Sequence, residues 1–264
     1  MGNLVGYRTD HGVAVLSLND PPVNAYTHEM MKELDDAILE ARFDRDVDVI
    51  VLTGSGDKYF CCAANIDMLR EADPTFKYYF CLHANETLRR LEETPKLSIA
   101  AINGHCVGGG FEVAMACDFR IARKGQGKMG LPEVKLGVLP GTGGTQRLTR
   151  LVGPARAMQL MIEGENFSLE QALEWGLLHY LWEERTLDDF QRKVLAYAHQ
   201  LTPPAKAALA VGRIKRAVQA AGELPIDQGL AIERELQAEL FASDDAREGL
   251  HAYCAKRAPR FRAR

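Results

Sequence analysis

The sequence has no apolar run near the roughly 18 residues that a bilayer-spanning helix needs. Its first residues carry no basic stretch followed by a hydrophobic one, so no secretory leader is expected. No two of its six cysteines stand at C-x-x-C spacing and no two histidines stand four apart, which argues against a metal site. Charge bias is slight: 32 basic residues oppose 36 acidic ones for a formal charge of -4, which makes no case for nucleic acid or a membrane surface as partner. Repeats and low-complexity tracts are absent as well. With no leader, the cysteines read as reduced thiols of a cytoplasmic chain. What remains is an ordinary globular composition, 47% hydrophobic and 26% charged over 264 residues, enough to bury a sizeable core.

The first half alternates strand and helix signals. Residues 4–9 and 13–18 are alternating apolar runs around Asp10-His11-Gly12, a hairpin turn. Thr27 can cap a helix to about residue 43, with Met30, Met31, Leu34 and Ile38 on its buried side. Residues 49–53 and 97–102 are apolar on both faces, the mark of strands covered on both sides. A helix is expected over 75–93, a short apolar one over 111–117, and a strand over 118–122. The pattern predicts right-handed crossovers and an α/β core. The second half reads as helices at 146–152, 154–162, 168–175, 186–201, 204–221, 225–241 and 243–256, with one strand at 177–181. Ser168 and Gln171 have the form of a capping box. The expected division is an α/β core over 1–195 and a helical region over 196–264, with a hinge at Pro203-Pro204.

Two loops concentrate glycine. Asn103 to Gly110 ends in three consecutive glycines between a buried strand and a short helix, which costs backbone entropy and suits close approach of a ligand to bare N–H groups. Its spacing is not G-x-G-x-x-G, and the second loop, GVLPGTGGT over 137–145, lacks the lysine of a phosphate-binding loop. Dinucleotide and nucleoside triphosphate binding are therefore disfavoured. A carboxylate stands close to each loop: Glu112 within an apolar helix, and Glu133 after Pro132. Burial beside a like charge raises a carboxyl pKa, which fits general acid/base work, although either residue could serve a salt bridge instead. A Cys106–His105 nucleophile pair is disfavoured, because adjacent side chains point apart and no third group orients them.

Four segments together resemble the enoyl-CoA hydratase/isomerase (crotonase) family: FCCAANI over 60–66, AING through GGGFE over 101–112, LPE over 131–133, and GVLPGTGGTQRL over 137–148. Asn24-Ala25 and the helical end agree with it too. The resemblance implies a crotonase-like spiral of β-β-α units with a helical C-terminal region for trimerisation, often as a dimer of trimers, hence a homotrimer or hexamer. It implies an acyl-CoA thioester as substrate and no cofactor, coenzyme A being part of that substrate. The backbone N–H groups of Ala64 and Gly109 would form the oxyanion hole. Glu112 and Glu133 would hold the water, one deprotonating it and the other protonating Cα. Val23, Ala25, Ala63, Ala64, Asn65, Ile66, Gly108, Gly109, Pro132 and Gly141 would line the substrate and coenzyme A site.

Members of the family that isomerise, hydrolyse or decarboxylate often lack one of the two acids, so their presence here implies reversible syn hydration of a 2-enoyl-CoA to a 3-hydroxyacyl-CoA. The alternatives are those other chemistries, or a fold-retaining RNA-binding or scaffold protein using the basic tail from Lys256. Three departures from the family pattern stand out. Ala63 and Asn65 replace the usual glycine and aspartate, and Pro21-Pro22-Val23 stands where many members carry a basic residue. Alanine at 63 would be strained if the position needs positive φ.

Overall fold

The computed structural model describes residues 4–125 and 127–263. Its strands are β1 (Val5–Asp10), β2 (Val13–Leu18), β3 (Val49–Gly54), β4 (Tyr59–Cys62), β5 (Leu97–Ile102), β6 (His105–Val107), β7 (Phe119–Arg123), β8 (Lys128–Gly130), β9 (Phe167–Ser168) and β10 (Tyr180–Trp182). The expected hairpin joins β1 to β2 through positive-φ residues His11 and Gly12. A six-stranded sheet runs in the order β1-β2-β3-β5-β7-β10, parallel from β2 onward, and a four-stranded one runs β4-β6-β8-β9.

The helices are α1 (His28–Phe43), α2 (Ile66–Glu71), α3 (Pro74–Glu93), α4 (Gly109–Met115), α5 (Gly144–Glu163), α6 (Leu169–Glu174), α7 (Leu187–His199), α8 (Ala208–Ala221), α9 (Ile226–Phe241) and α10 (Asp244–Cys254). Thr27 caps α1 by accepting from the Met30 N–H, and Ser168 with Gln171 forms a complete capping box on α6. The residues expected as two helices at 146–162 lie in α5, which breaks at Gly153 (φ 78°, ψ 162°) before Pro154.

Side-chain alternation decides what covers each face of the large sheet. Ala14, Leu16, Ile50, Leu52, Ala100 and Ile102 face one cluster with the buried stripe of α1 and with Phe80, Ala84 and Leu88 of α3. Val13, Val15, Val49, Val51, Leu97 and Ile99 face another with Phe190, Val194 and Ala198 of α7. Both faces are covered, so these strands read as continuous apolar runs.

The chain spirals between the sheets. β3, β5 and β7 each enter the large sheet, and the strand that follows each of them, β4, β6 and β8, enters the small one. These three short strands are parallel neighbours, with Cys62 opposite Val107 and Val107 opposite Gly130. The segments following residues 62, 107 and 130 therefore leave one edge of the small sheet side by side. Short strands β4, β6, β8 and β9 lay outside the sequence expectations, as did α2. Several boundaries also moved: the strand expected at 177–181 is Tyr180–Trp182, the helix expected from 204 starts at Ala208, and the one expected over 111–117 is Gly109–Met115.

Candidate active site

Each of the three segments leaving that edge delivers part of the site. The first brings Ala63 and Ala64. Ala63 donates to the Val107 carbonyl (2.8 Å) and Asn65 donates to the Tyr26 carbonyl (3.0 Å), which leaves the Ala64 N–H between them. The second brings Gly108 and Gly109 at the start of α4. Gly109 is the first helical residue, so its N–H has no intrahelical acceptor. Among the described residues no hydrogen bond takes either N–H. Two amides at neighbouring loop ends can thus serve one external oxygen.

Glycine is required at 108 for two reasons. Its φ is 59° with ψ −133°, and a methyl group there would stand 2.8 Å from Glu133 Oε1 and 3.2 Å from the Ala63 Cβ. These two distances also show how close the loops and the Glu133 carboxyl come. Ala63 itself has φ 64°, so the alanine that replaces the family's usual glycine does occupy the left-handed region.

The third segment brings Glu133, on a 3₁₀ turn (Glu133–Leu136). Burial, and then the Glu112 charge, push its carboxyl up to about 7. Its Oε2 is buried without a hydrogen-bond partner among the described residues. Glu112 projects from α4 and is only 2% exposed. Its Oε1 accepts from the Thr142 and Gly144 N–H groups, both at 2.7 Å. Burial raises this carboxyl too, against the opposing pull of the two amides and of Arg147. The result is a pair of neighbouring carboxyls, both raised, beside two unengaged amides. That arrangement can stabilise an enolate and move protons next to it.

The remaining expected residues surround this centre. The Val23 carbonyl accepts from Cys62 N (3.1 Å) and Ala25 is buried, so this strand of chain braces the Ala64 loop. Asn65 caps α2, accepting from the Met68 N–H (3.0 Å), and exposed Ile66 starts that helix. Pro132 is half-buried ahead of Glu133. The Gly141 carbonyl accepts from Asn85 (3.3 Å), which ties the second glycine loop to α3. Cys106 is buried with its thiol pushed well up and directed at the Gly110 carbonyl, whereas His105 lies against Tyr59, so the two form no nucleophilic pair. All six cysteines are free.

Comparison with known proteins identifies the family. Residues 8–264 match the profile of the enoyl-CoA hydratase/isomerase family. The chain belongs to that family. It is 37% identical to a short-chain-enoyl-CoA hydratase of Clostridium acetobutylicum, over 93% of this chain and 92% of that protein. It is 36% identical to a crotonyl-CoA hydratase of Syntrophomonas wolfei, with 94% of each chain covered. A crystal structure of an enoyl-CoA hydratase from Geobacillus kaustophilus superposes with a TM-score of 0.95 at 40% identity, covering 100% of this chain and 98% of that one. The fold is the crotonase fold, and the protein is an enzyme of the enoyl-CoA hydratase type.

Three residues at the site were given no role from the sequence: Tyr26, and Thr142 and Arg147 within the 137–148 segment. The Tyr26 hydroxyl bonds Thr142 Oγ1 at 2.7 Å. Arg147 pairs with Glu92 through two 2.7 Å bonds and donates to the Thr142 carbonyl (2.9 Å), which fixes the turn that holds Glu112. Signals for them were weak, because a tyrosine after Asn24-Ala25 and a threonine between glycines look like core and turn residues.

Proposed function

We propose that the protein adds water reversibly and syn across the double bond of a 2-enoyl-CoA thioester, giving a 3-hydroxyacyl-CoA, with no cofactor of its own. The observation that carries the reading is the pair of raised carboxyls, Glu112 and Glu133, next to the free Ala64 and Gly109 amides. In this reading the thioester oxygen accepts from both amides, and each supplies roughly 3–4 kcal/mol as enolate charge develops there. Glu112, whose charged form the two amides on Oε1 favour against the burial that raises it, takes a proton from the water attacking Cβ. Glu133, raised to about 7, carries the proton that passes to Cα. The pair works with one proton between them, so kcat/KM follows a bell. The acid limb marks protonation of Glu112 and the alkaline limb marks loss of the Glu133 proton.

The test is a panel of enoyl-CoA thioesters followed by loss of the conjugated absorbance, with mass spectrometry to separate addition of water from double-bond migration or hydrolysis. Glu112→Gln and Glu133→Gln should each lower turnover at least ~100-fold, the lower range for removing a general acid or base. Near-wild-type turnover in either variant would sink the two-carboxylate mechanism. The same reading includes assembly through the C-terminal helices as a homotrimer or a dimer of trimers, and a cytoplasmic location that suits the free thiols.

A further inference from the structure

Tyr26 touches both donor loops and the turn that holds Glu112. Its backbone brackets the first donor, since its N–H bonds the Ala63 carbonyl (3.2 Å) and its carbonyl accepts from Asn65. Its ring lies directly beneath the second donor, where a Cβ on Gly109 would overlap the phenol. Its hydroxyl, in a fully buried side chain, bonds Thr142 Oγ1 at 2.7 Å. Thr142 in turn holds Glu112 through its N–H at 2.7 Å, and its hydroxyl favours the ionised form of that carboxyl.

We propose that Tyr26 is a positioning residue for the Glu112 carboxylate, acting through the Thr142 hydroxyl. A hydroxyl has one proton. When Thr142 gives its own to the ionised Glu112, its oxygen must accept one, and the Tyr26 O–H is placed to supply it. Burial and the nearby Glu112 charge keep the phenol protonated, so it always has that proton to give. The charged groups facing Glu112 are Glu133 from the 3₁₀ turn and Arg147 from α5; the Cys61 and Cys81 thiols face Tyr26 from β4 and α3. None of these replaces the phenolic proton, because Arg147 is committed to Glu92 and to the Thr142 carbonyl.

The inference rests on the hydration reading, and its test separates the two. Tyr26→Phe keeps the ring, the Gly109 contact and both backbone bonds, removing one oxygen. Thr142→Val removes the hydroxyl at the other end of the bond and keeps the backbone N–H, and it decides the matter should Tyr26→Phe fold poorly. Steady-state kinetics of the full-length enzyme on its best enoyl-CoA should show kcat lowered about three- to tenfold in both variants, with KM within about twofold. The acid limb of kcat/KM should move up by roughly half a unit to one unit, because a carboxylate that loses donors is harder to ionise. Thr142→Ser should restore the wild-type limb. A wild-type kcat and limb in Tyr26→Phe and Thr142→Val, alongside an inactive Glu112→Gln, would overturn the positioning role and leave the hydration reading standing. An unshifted limb with lowered kcat would overturn it too, since a purely structural brace would act that way. An active Glu112→Gln would instead bring down the hydration reading.

Discussion

Ala63 holds a left-handed backbone on the loop that carries the first donor, with its methyl group against Gly108. An L-residue in that region carries a cost of about 1–2 kcal/mol. Glycine would remove the cost, and its looser unfolded chain would return about 0.4–1 kcal/mol of the gain. Ala63→Gly should therefore raise the thermal midpoint by roughly 1–3 °C while leaving kcat/KM within about twofold. A lower midpoint would mean that the methyl contact with Gly108 outweighs the backbone. The loop keeps its shape because its neighbours hold it, through Val107 on one side and Tyr26 on the other.

Glu133 carries a second consequence at the same scale. Its carboxyl is raised from 4.5 to about 7, so between those values the native state keeps a proton that the unfolded chain has released. The native state binds more protons there, and stability falls as pH rises through the window, by up to about 3 kcal/mol in total. Glu133→Gln does not titrate. Its stability advantage over the wild type should be small near pH 5 and largest above about pH 7.5, read from urea midpoints at both pH values. An equal gap at both would show that the site does not hold the carboxyl in its neutral form.

Among the elements, legibility followed length and burial. The strands β2, β3 and β5 and the helix α1 were readable because each has six or more residues with a decided pattern: doubly buried runs in β3 and β5, a 3.6-residue stripe with a threonine cap in α1. The whole small sheet was not, since β4, β6, β8 and β9 have only two to four residues each, too few to show a period of two. That sheet is what brings residues 63–64, 108–109 and 133 to one edge, so spacing along the chain could not place the site. The four segments resembling the enoyl-CoA hydratase/isomerase family supplied the grouping instead. Asn65, which stands where the family usually has aspartate, has no structural explanation. Its side chain caps α2, a task that aspartate performs equally well, so the cap alone does not account for asparagine at this position.

For the whole molecule, the question is what covers the C-terminal helices. α8 docks on the core: Gly212 packs on Pro95, and Lys215 reaches Asp118 (2.8 Å) and the Lys96 carbonyl (3.1 Å) from a buried position. Beyond it, α9 has no buried residue at all. Ile214 and Val218 of α8, Ile226, Leu230 and Phe241 of α9, and Leu250 and Tyr253 of α10 are exposed together in one 40-residue stretch. Exposed apolar side chains on three successive helices are what the proposed trimer would cover with a second copy of the chain. The basic tail is partly spent within the molecule. Arg257 pairs with Glu248 (2.7 and 2.8 Å), and the Arg262 and Ala263 N–H groups bond the Asp245 carboxylate, which weakens the RNA-binding alternative. Sedimentation of the full chain should give a trimer or hexamer. Truncation after Leu201 removes α8, strands Asp118 without its lysine and uncovers Pro95. It should give aggregate or inactive monomer, because the core surface that α8 covers at Pro95 and Asp118 is opened to solvent. A stable, fully active monomer from the truncated chain would refute both the interface and the dependence of the site on it.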